Sequence, residues 1–390
     1  MAVHRQGHGP SHRRGARLPA ARSGLLSYPD TEVTKALRSA LAQQLADEGD
    51  LRSPEWRNAV EDTPRHVFVP VFYRQAQGGW EAVGAGDAGY FDAVYGNTAL
   101  TTQVTDGAAT SSSSMPGLMV QMLEALGVED GDKVAEVATG TGYNGALICH
   151  RVGDENFSTM EVDAGLARLA RARLGEVGHA PTVLTGDARA GFPGEHLFDR
   201  VIVTCGFDTF PYALARNVRP GGVIVCPLGW GNARLTAEAD GRLEGHFLAG
   251  GSYFMKVREE GATGAVPYPG EPEAVSERAV AIDLSASRSD GFGFVQSLVL
   301  GAIGEATELD ALGRPNGYRV WSRDGSWAHV QDGLVRQGGP RALWDSVEHA
   351  HSWFAAHGSP ERERFGVTVT PEGQGFWLDE PGQVVPTGRI

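Results

Sequence analysis

The residues that most constrain the fold of this 390-residue chain are Val134-Ala135-Glu136-Val137-Ala138-Thr139-Gly140-Thr141-Gly142-Tyr143. An apolar run with one carboxylate leads into a loop of small residues and then into a helix-like segment. This order is typical of a nucleotide-type ligand site at the end of a parallel strand. Small residues let the backbone approach the ligand closely, and a helix N-terminus offers unpaired N–H groups.

The position of Glu136 indicates which ligand the loop binds. Glu136 lies on the strand side of the loop, two residues before the first small residue. There it can accept hydrogen bonds from a ligand's amino group, whereas a carboxylate without a partner is costly to bury in an apolar strand. A dinucleotide site would show G-x-G-x-x-G, with its acid only at the end of the second strand. The loop therefore favours S-adenosylmethionine (AdoMet) over NAD, with an ordinary turn as the alternative.

Charge and composition exclude several classes of function. The net charge is −14, and the predicted isoelectric point of about 5.3 argues against a nucleic-acid partner. No apolar run reaches the roughly 18–20 residues that span a membrane. The three scattered cysteines, Cys149, Cys205 and Cys226, indicate small buried thiols in a reducing cytoplasm and no metal site. Residues 1–24 are basic and lack an apolar core, which predicts a disordered tail and no secretory signal.

Helices and strands alternate from Met115 onward. Strands are expected at 134–137, 157–162, 181–184, 198–203 and 222–227, with helices between them. This alternation predicts a parallel, doubly wound α/β sheet. A hairpin around Asp240-Gly241 and a strand at 253–258 would add an antiparallel end. The expectation is a seven-stranded, Rossmann-like sheet.

Changes in sequence pattern divide the chain into five parts. They are a basic tail at 1–29, a helical segment at 30–110 that covers substrate, a ligand-binding domain at 111–259, a linker at 260–275 and a smaller C-terminal α+β domain at 276–390. In the second part, Val33, Leu37, Leu41 and Leu45 predict one buried helix face, and Ser53 before Pro54 predicts a capped helix start.

Several motifs in a fixed order resemble the protein-L-isoaspartate O-methyltransferases over about residues 53–258. The resemblance rests on ordered segments: Pro64-Arg65-His66-Val67-Phe68-Val69-Pro70, Tyr90-Phe91-Asp92, Ser114-Met115-Pro116, the loop at 136–143, Gly186-Asp187-Ala188, Arg219-Pro220-Gly221-Gly222 and Cys226-Pro227-Leu228-Gly229. It implies the class I AdoMet-dependent methyltransferase fold.

The chain departs from the family's pattern at two places. Ala138 stands where the family has Gly, which predicts a slightly displaced loop because alanine disfavours positive φ. The family's repair enzymes end soon after the last strand, whereas about 130 residues follow here, and the Ser-x-Pro motif ends the run Thr110-Ser111-Ser112-Ser113-Ser114. This combination resembles an actinobacterial branch associated with the maturation of ribosomal peptides, including lanthipeptide and graspetide (ATP-grasp-maturated) precursors.

The resemblance implies a carboxyl O-methyltransferase that acts on an aspartate side chain of such a peptide. The methyl ester would close to a succinimide, which can open to isoaspartate. A free carboxyl is already ionised at neutral pH, since its pKa is near ~4, so the reaction needs alignment and no general base. General repair of isoaspartyl residues is the alternative activity, and a non-enzymatic binding module is the third hypothesis.

The same resemblance assigns roles to individual residues. Ser114 is the candidate catalytic residue, with a helix cap as the alternative, and Thr110, Ser111, Ser112 and Ser113 are candidate substrate contacts. The candidate cofactor contacts are Glu136, Ala138, Thr139, Gly140, Thr141, Gly142, Asn144, Glu161, Val162, Gly186, Asp187 and Ala188.

Some of these assignments have rivals. Asp163 competes with Glu161 for the cofactor's ribose, and Asp187 would otherwise stabilise a turn. His66 is interpreted as structural. His349 and His351 face different sides of one helix and are not expected to share a metal.

Overall fold

The computed structural model describes residues 28–194, 197–258, 266–272, 274–282, 290–301 and 303–386. The predicted basic tail therefore lies almost entirely outside the described residues. Within them, no helix is long and apolar enough to cross a membrane.

The N-terminal segment combines short helices with a small sheet. Its helices are α1 (Glu32–Asp47), α2 (Pro54–Asp62), α3 (Arg65–Phe68) and α4 (Tyr90–Val94). Its strands β1 (Val71–Ala76), β2 (Gly79–Gly84), β3 (Leu100–Thr105) and β4 (Ala108–Ser113) form an antiparallel sheet in the order β2-β1-β3-β4.

The predicted inner face of α1 and the predicted cap of α2 are partly wrong. Val33 is 68% exposed, and Thr34 and Arg38 are buried in its place. The Arg38 guanidinium is neutralised by Asp30, which explains how a charged side chain lies inward. Ser53 precedes α2 but makes no side-chain cap; its hydroxyl donates to Glu124 instead.

The central sheet has a parallel core of five strands, β5 (Val134–Val137), β6 (Phe157–Glu161), β7 (Thr182–Thr185), β8 (Phe198–Val203) and β9 (Val218–Leu228). The helices beside these strands are α5 (Pro116–Leu126), α6 (Tyr143–Val152), α7 (Ala164–Glu176) and α8 (Tyr212–Ala215). All four residues of β5 are buried, as expected for a strand covered on both faces.

Antiparallel strands extend this sheet beyond the predicted seven to nine. Strands β10 (Gly231–Ala237) and β11 (Leu243–Phe247) follow β9, and the full order is β18-β17-β11-β10-β9-β8-β5-β6-β7. Residues 253–258, predicted as a strand, are irregular and make one isolated bridge between Lys256 and Gly206. The outer edge of β11 is instead paired with a hairpin from the end of the chain.

The C-terminal part contains a third sheet, and it also contains the hairpin that joins the central sheet. Strands β12 (Ser276–Ala279), β13 (Ile303–Leu309), β14 (Pro315–Ser322), β15 (Trp327–Gln331) and β16 (Leu334–Gly338) form the order β12-β16-β15-β14-β13. Helices α9 (Asp290–Leu300) and α10 (Leu343–Ala356) and the hairpin β17 (Phe365–Thr370) and β18 (Gly373–Leu378) complete it.

The last hairpin was predicted to belong to a separate domain, but it extends the central sheet. Phe365, Val367 and Val369 of β17 are buried in a core that continues from the central sheet into the C-terminal part. An uncovered β11 would leave a row of unpaired N–H and C=O groups, and β17 satisfies them. Within the predicted linker, the structure describes residues 266–272 and 274–275, and the carbonyl of Val266 accepts a hydrogen bond from the indole N–H of Trp321.

Candidate active site

A cavity of about 470 Å³ opens at the carboxyl ends of β5, β6 and β8. Every predicted site residue except Gly142 lines it. Parallel strands bring their carboxyl ends to one edge of a sheet, which is why residues far apart in sequence meet there. Gly142 lies behind the loop, where a Cβ would come within 3.3 Å of Ala170 on α7.

Glu136 lies at the base of the cavity and is fully buried. Its two carboxylate oxygens accept hydrogen bonds from Asn144 Nδ2 and Thr159 Oγ1, both at 2.7 Å. Burial raises the pKa of Glu136 to about 7, against the opposing effect of these two donors. A cationic ligand group beside it would favour the charged form of the carboxylate.

The side chain of Asn144 provides a test of whether the cavity fits AdoMet. Its Oδ1 atom is buried and has no hydrogen-bond partner within the described part of the chain. A buried acceptor without a donor is unfavourable, and the amino group of AdoMet would supply that donor. The small residues of the loop and the N-terminus of α6 leave room for the rest of the ligand. The residues present therefore fit the cofactor.

Glu161 and Asp163, rivals in the sequence, have different roles in the structure. The Asp163 carboxylate caps α7 by accepting from the N–H groups of Gly165 and Leu166. Glu161 is 5% exposed and accepts from the N–H groups of Gly140 and Asp163. Burial raises the pKa of Glu161, and these N–H groups partly oppose that effect. Of the two, Glu161 is the better placed for a ribose.

Replacing Glu161 with alanine is expected to weaken AdoMet binding by more than about 1 kcal/mol, because a hydrogen bond to a charged group is lost. The matched variant Asp163→Ala should lower the free energy of unfolding by about 1 kcal/mol through loss of a helix cap, with nearly unchanged AdoMet affinity. Calorimetric titration and urea unfolding of both variants measure these effects. Wild-type affinity in Glu161→Ala would contradict the assignment.

Ala138, which stands where the family has glycine and was predicted to displace the loop slightly, adopts the backbone conformation that glycine favours. Its backbone adopts a positive φ of 70°, so the alanine takes the left-handed conformation that suits glycine. Its N–H donates to the carbonyl of Met160 at 2.8 Å, which holds the loop against β6. The strain of the left-handed conformation is carried by Ala138.

Ala138→Gly should therefore stabilise the protein by up to about 1 kcal/mol, because a left-handed conformation costs alanine about 1–2 kcal/mol and glycine's extra chain entropy offsets part of that. Ala40→Gly, in the exposed middle of α1, should destabilise it by about 1 kcal/mol. Urea unfolding checks that the two substitutions change the free energy of unfolding in opposite directions. A destabilised Ala138→Gly would mean that the methyl group packs productively.

Gly186, Asp187 and Ala188, which were predicted to contact the cofactor, line the cavity. The Asp187 carboxylate accepts from the backbone N–H of Arg189 and pairs with its guanidinium. The Arg189 guanidinium holds the pKa of Asp187 below its usual range. Asp187 thus stabilises a turn, which was the alternative role for this residue. Because Asp187 also lines the cavity, its contact with the cofactor stays a prediction.

The hydroxyl run from Thr110 to Ser114 forms one wall of the cavity. Most of it belongs to β4, and Ser114 follows that strand directly. The alternative role of Ser114 as a helix cap is wrong, because Met115 occupies the cap position of α5 and no side chain caps that helix. Within the described residues the Ser114 hydroxyl has no hydrogen-bond partner, so it is available to a ligand.

Arg65 supports this wall and was missed as a key residue by the sequence reasoning. It is fully buried and donates to the backbone carbonyls of Val94, Gly96, Thr98, Ser113 and Ser114. Burial lowers the pKa of Arg65 to about 10, so the guanidinium stays charged at neutral pH. The signal for Arg65 in the sequence was its position in the family-like motif at residues 64–70.

His66, beside it, is structural as predicted. It hydrogen-bonds the Tyr95 hydroxyl and the Tyr28 carbonyl.

The wall opposite the hydroxyl run was also missed. Residues 253–258 line the cavity, and Arg258 reaches across to the carbonyl of Thr110 at 3.1 Å. Lys256 pairs with Asp208. The sequence pattern indicated a regular strand here, which would not show that these side chains face a ligand.

One group of residues within the described ranges has the ligand spacing of a metal site. It comprises Cys149, Asp154 and His179, whose ligand atoms lie within 4.8 Å of one another. His179 and the N–H of Ala180 already hydrogen-bond the Asp154 carboxylate. The group lies near the amino ends of β6 and β7, at the edge opposite the cavity. His349 and His351 both lie on α10, outside this group.

Comparisons with known sequences point to one family. The model of the family described as Protein-L-isoaspartate(D-aspartate) O-methyltransferase (PCMT) matches residues 36–249. A protein-L-isoaspartate O-methyltransferase of Ignicoccus hospitalis is 33% identical over 190 residues, which cover 48% of this chain and 80% of the relative. Protein-L-isoaspartate O-methyltransferase 2 of Rhodopseudomonas palustris is 34% identical over 195 residues, 49% of this chain and 77% of the relative.

A solved structure extends the likeness beyond the matched residues. The structure of a protein-L-isoaspartate O-methyltransferase superimposes with a TM-score of 0.54 at 19% identity, covering 88% of this chain and 100% of its own. It confirms the predicted α/β methyltransferase fold. Because 88% of this chain extends well past residue 258, the C-terminal part has a structural counterpart there. That solved structure therefore continues past the last strand of the methyltransferase sheet, whereas the relatives of Ignicoccus hospitalis and Rhodopseudomonas palustris, of which 190 and 195 residues make up 80% and 77%, are much shorter than this chain.

Proposed function

Because the chain belongs to the protein-L-isoaspartate O-methyltransferase family, we propose that this AdoMet-dependent methyltransferase esterifies the free carboxylate of isoaspartyl residues in peptides or proteins. The observation that carries the proposal is that Glu136, Asn144 and Glu161 line one cavity together with the hydroxyl wall that ends at Ser114. One side of it suits the cofactor, and the other is open to an acceptor.

The residues that hold the cofactor follow from their hydrogen-bonding capacity. Asn144 Oδ1 and the Glu136 carboxylate would accept from the amino group, and Glu161 would accept from the ribose hydroxyls. When bound, AdoMet supplies an electrophilic methyl group on a sulfonium. A buried, preformed site fixes the position of the methyl group before the acceptor enters. This alignment of the two reactants lowers the barrier to methyl transfer.

The acceptor side needs orientation and no base. A carboxylate is ionised at neutral pH, and no general base has to remove a proton from it. The Ser114 hydroxyl can donate to one carboxylate oxygen and leave the other directed at the methyl group. The guanidinium of Arg65 fixes the backbone carbonyl of Ser114 at 3.0 Å, so the hydroxyl is presented from a rigid backbone.

Ser114→Ala is expected to lower kcat/KM for the acceptor by about tenfold or more, since a hydrogen bond to a charged group is worth about 1.5–3 kcal/mol. AdoMet affinity and the free energy of unfolding should stay near wild type, because the hydroxyl neither caps a helix nor bonds the described protein. Steady-state kinetics, calorimetry and urea unfolding separate these effects. An equal loss of cofactor affinity would assign Ser114 to the cofactor site.

The second candidate function is methylation of an aspartate side chain in a ribosomally made peptide, such as a lanthipeptide or graspetide precursor. The run of four consecutive serines on the cavity wall favours it, because such a wall can hydrogen-bond the backbone of a constrained peptide. In this reaction the neighbouring backbone nitrogen attacks the ester, methanol leaves, and a succinimide forms. The extended C-terminal part supports it less, since it has a counterpart in a solved protein-L-isoaspartate O-methyltransferase structure.

Mass spectrometry of two acceptor types tests both functions. The protein is incubated with AdoMet and either short isoaspartyl peptides of unrelated sequence or the modified peptide from a neighbouring gene. A gain of about 14 Da on the isoaspartyl peptides supports the first function. Ester or succinimide on the modified peptide alone would replace it with the second. Normal aspartyl versions of the short peptides are the matched control and should stay unmodified.

A further inference from the structure

One rim of the cavity presents large apolar side chains to solvent. Tyr253 is 70% exposed and Met255 is 36% exposed, and both line the cavity. The Trp230 ring lies beside Tyr253 with its centroid 5.1 Å away. Exposed large apolar side chains grouped beside a cavity are typical of a ligand-binding groove.

The backbone of this rim is held in place on both sides. The carbonyl of Met255 accepts from Gly206 N–H at 2.8 Å, and Val257 N–H donates to the Gly206 carbonyl at 2.9 Å. The N–H of Ser252 donates to the carbonyl of Trp230 at 3.2 Å. The exposed side chains are therefore presented by a preorganised segment, which reduces the entropy lost on binding.

Some side chains of this segment pack against the protein interior, and others are exposed at the cavity mouth. Phe254 and Val257 pack against the two hydrophobic cores, whereas Tyr253 and Met255 point outward. Burial of the first pair fixes the orientation of the second. The packing of Phe254 and Val257 thus leaves Tyr253 and Met255 exposed.

Charge on the same segment matches an anionic acceptor. Among the described cavity-lining residues, Lys256 and Arg258 are the cationic ones. Arg258 reaches the hydroxyl wall at the carbonyl of Thr110, Lys256 pairs with Asp208, and both lie on the same six-residue segment as the apolar pair. A carboxylate directed toward this charge would place the neighbouring side chain of its peptide against Tyr253 and Met255.

We propose that Tyr253 and Met255 determine acceptor specificity by binding the side chain next to the methylated residue. The preferred acceptor is a peptide segment with a large apolar residue adjacent to its reacting acidic residue. This inference rests on the proposed function, because it assigns the rim to the acceptor of that reaction. Tyr253 and Met255 are specificity residues and take no part in the transfer itself.

Binding and turnover of matched peptides test the proposal. Fluorescein-labelled isoaspartyl peptides with leucine or glycine beside the isoaspartate are titrated with the full chain and S-adenosylhomocysteine, and kcat/KM is measured with AdoMet. The leucine peptide is expected to bind about tenfold more tightly, the scale of one apolar contact in a pocket. Tyr253→Ala and Met255→Ala should each reduce this preference, and the double variant should abolish it with unchanged S-adenosylhomocysteine affinity.

Leu312→Ala is the matched control, because Leu312 is 75% exposed and does not line the cavity. It should keep the full preference. Equal affinity for both peptides, or a preference that survives the double variant, would overturn the inference. So would self-association of the wild type that Tyr253→Ala removes. Preferential binding of the leucine peptide without ester formation would leave the inference standing and overturn the proposed function.

Discussion

Replacing Arg65 with alanine is expected to lower the free energy of unfolding by at least about 3 kcal/mol. The Arg65 guanidinium satisfies five backbone carbonyls from two separate parts of the chain, residues 94–98 and residues 113–114. Removing it leaves buried acceptors without donors and opens a cavity under Tyr143, whose ring lies 5.7 Å from the guanidinium. Each buried acceptor left without a partner costs about 1–3 kcal/mol.

The same substitution should also reduce methyl transfer under conditions where the protein is still folded. The Arg65 side chain holds the end of β4 and the backbone of Ser114 in place, so its loss allows the hydroxyl wall to shift. Lysine at position 65 should not restore stability or methyl transfer. One ammonium group cannot reach the carbonyls of both residues 94–98 and residues 113–114, as the planar guanidinium does.

Urea unfolding and steady-state kinetics measure the two effects of Arg65→Ala. Arg74→Ala is the control, since Arg74 is exposed and pairs with Glu81 on the surface, and it should change stability by less than about 1 kcal/mol. Stability of Arg65→Ala close to wild type would show that water can replace the guanidinium.

Ending the chain after Arg258 is expected to abolish cooperative folding, although the residues removed lie outside the matched family region. The hairpin β17–β18 pairs with β11 along four consecutive residue pairs. Phe247 of β11 packs edge-on against Phe294 of α9 with ring centroids 4.7 Å apart. Truncation would expose Phe247 and Leu243, at about 1.5–3 kcal/mol each, and open a strand edge that favours aggregation.

Size-exclusion chromatography and thermal unfolding of the truncated chain test this expectation. The point variant Phe294→Ala gives an independent measurement in the full chain. Phe294 is fully buried, and its loss should destabilise the whole protein by about 3–5 kcal/mol in a single transition. A monomeric truncated protein with a wild-type melting transition, or two separate transitions in Phe294→Ala, would show that the two parts are independent domains.

Local sequence patterns predicted most of the fold because they reflect local physics. The strands at 134–137 and 198–203 have the predicted bounds, since short apolar runs between turn residues leave few alternatives. The prediction failed where long-range pairing decides. Val33 has the spacing of a buried position, but the partners of α1 bury Thr34 and Arg38 in its place.

The candidate site shows the same division. Ordered motifs identified the residues that line the cavity on the cofactor side, and the structure brings all of them except Gly142 into the lining. The roles of these residues depended on contacts that no motif records. Asp163 differs from Glu161 because it caps α7, and Ser114 is free because Met115 occupies the helix cap.

By itself, the sequence determined the doubly wound sheet, the AdoMet loop and the family, since these follow from periodicity and from a continuous run of small residues beside one carboxylate. Only the tertiary structure decided that Arg65 supports the hydroxyl wall, that residues 253–258 line the cavity and that the last hairpin, β17–β18, completes the central sheet. The physical reason is the same in each case. A buried donor, an open strand edge and a cavity wall are satisfied by whichever distant residues the fold brings near, and sequence spacing does not record that distance.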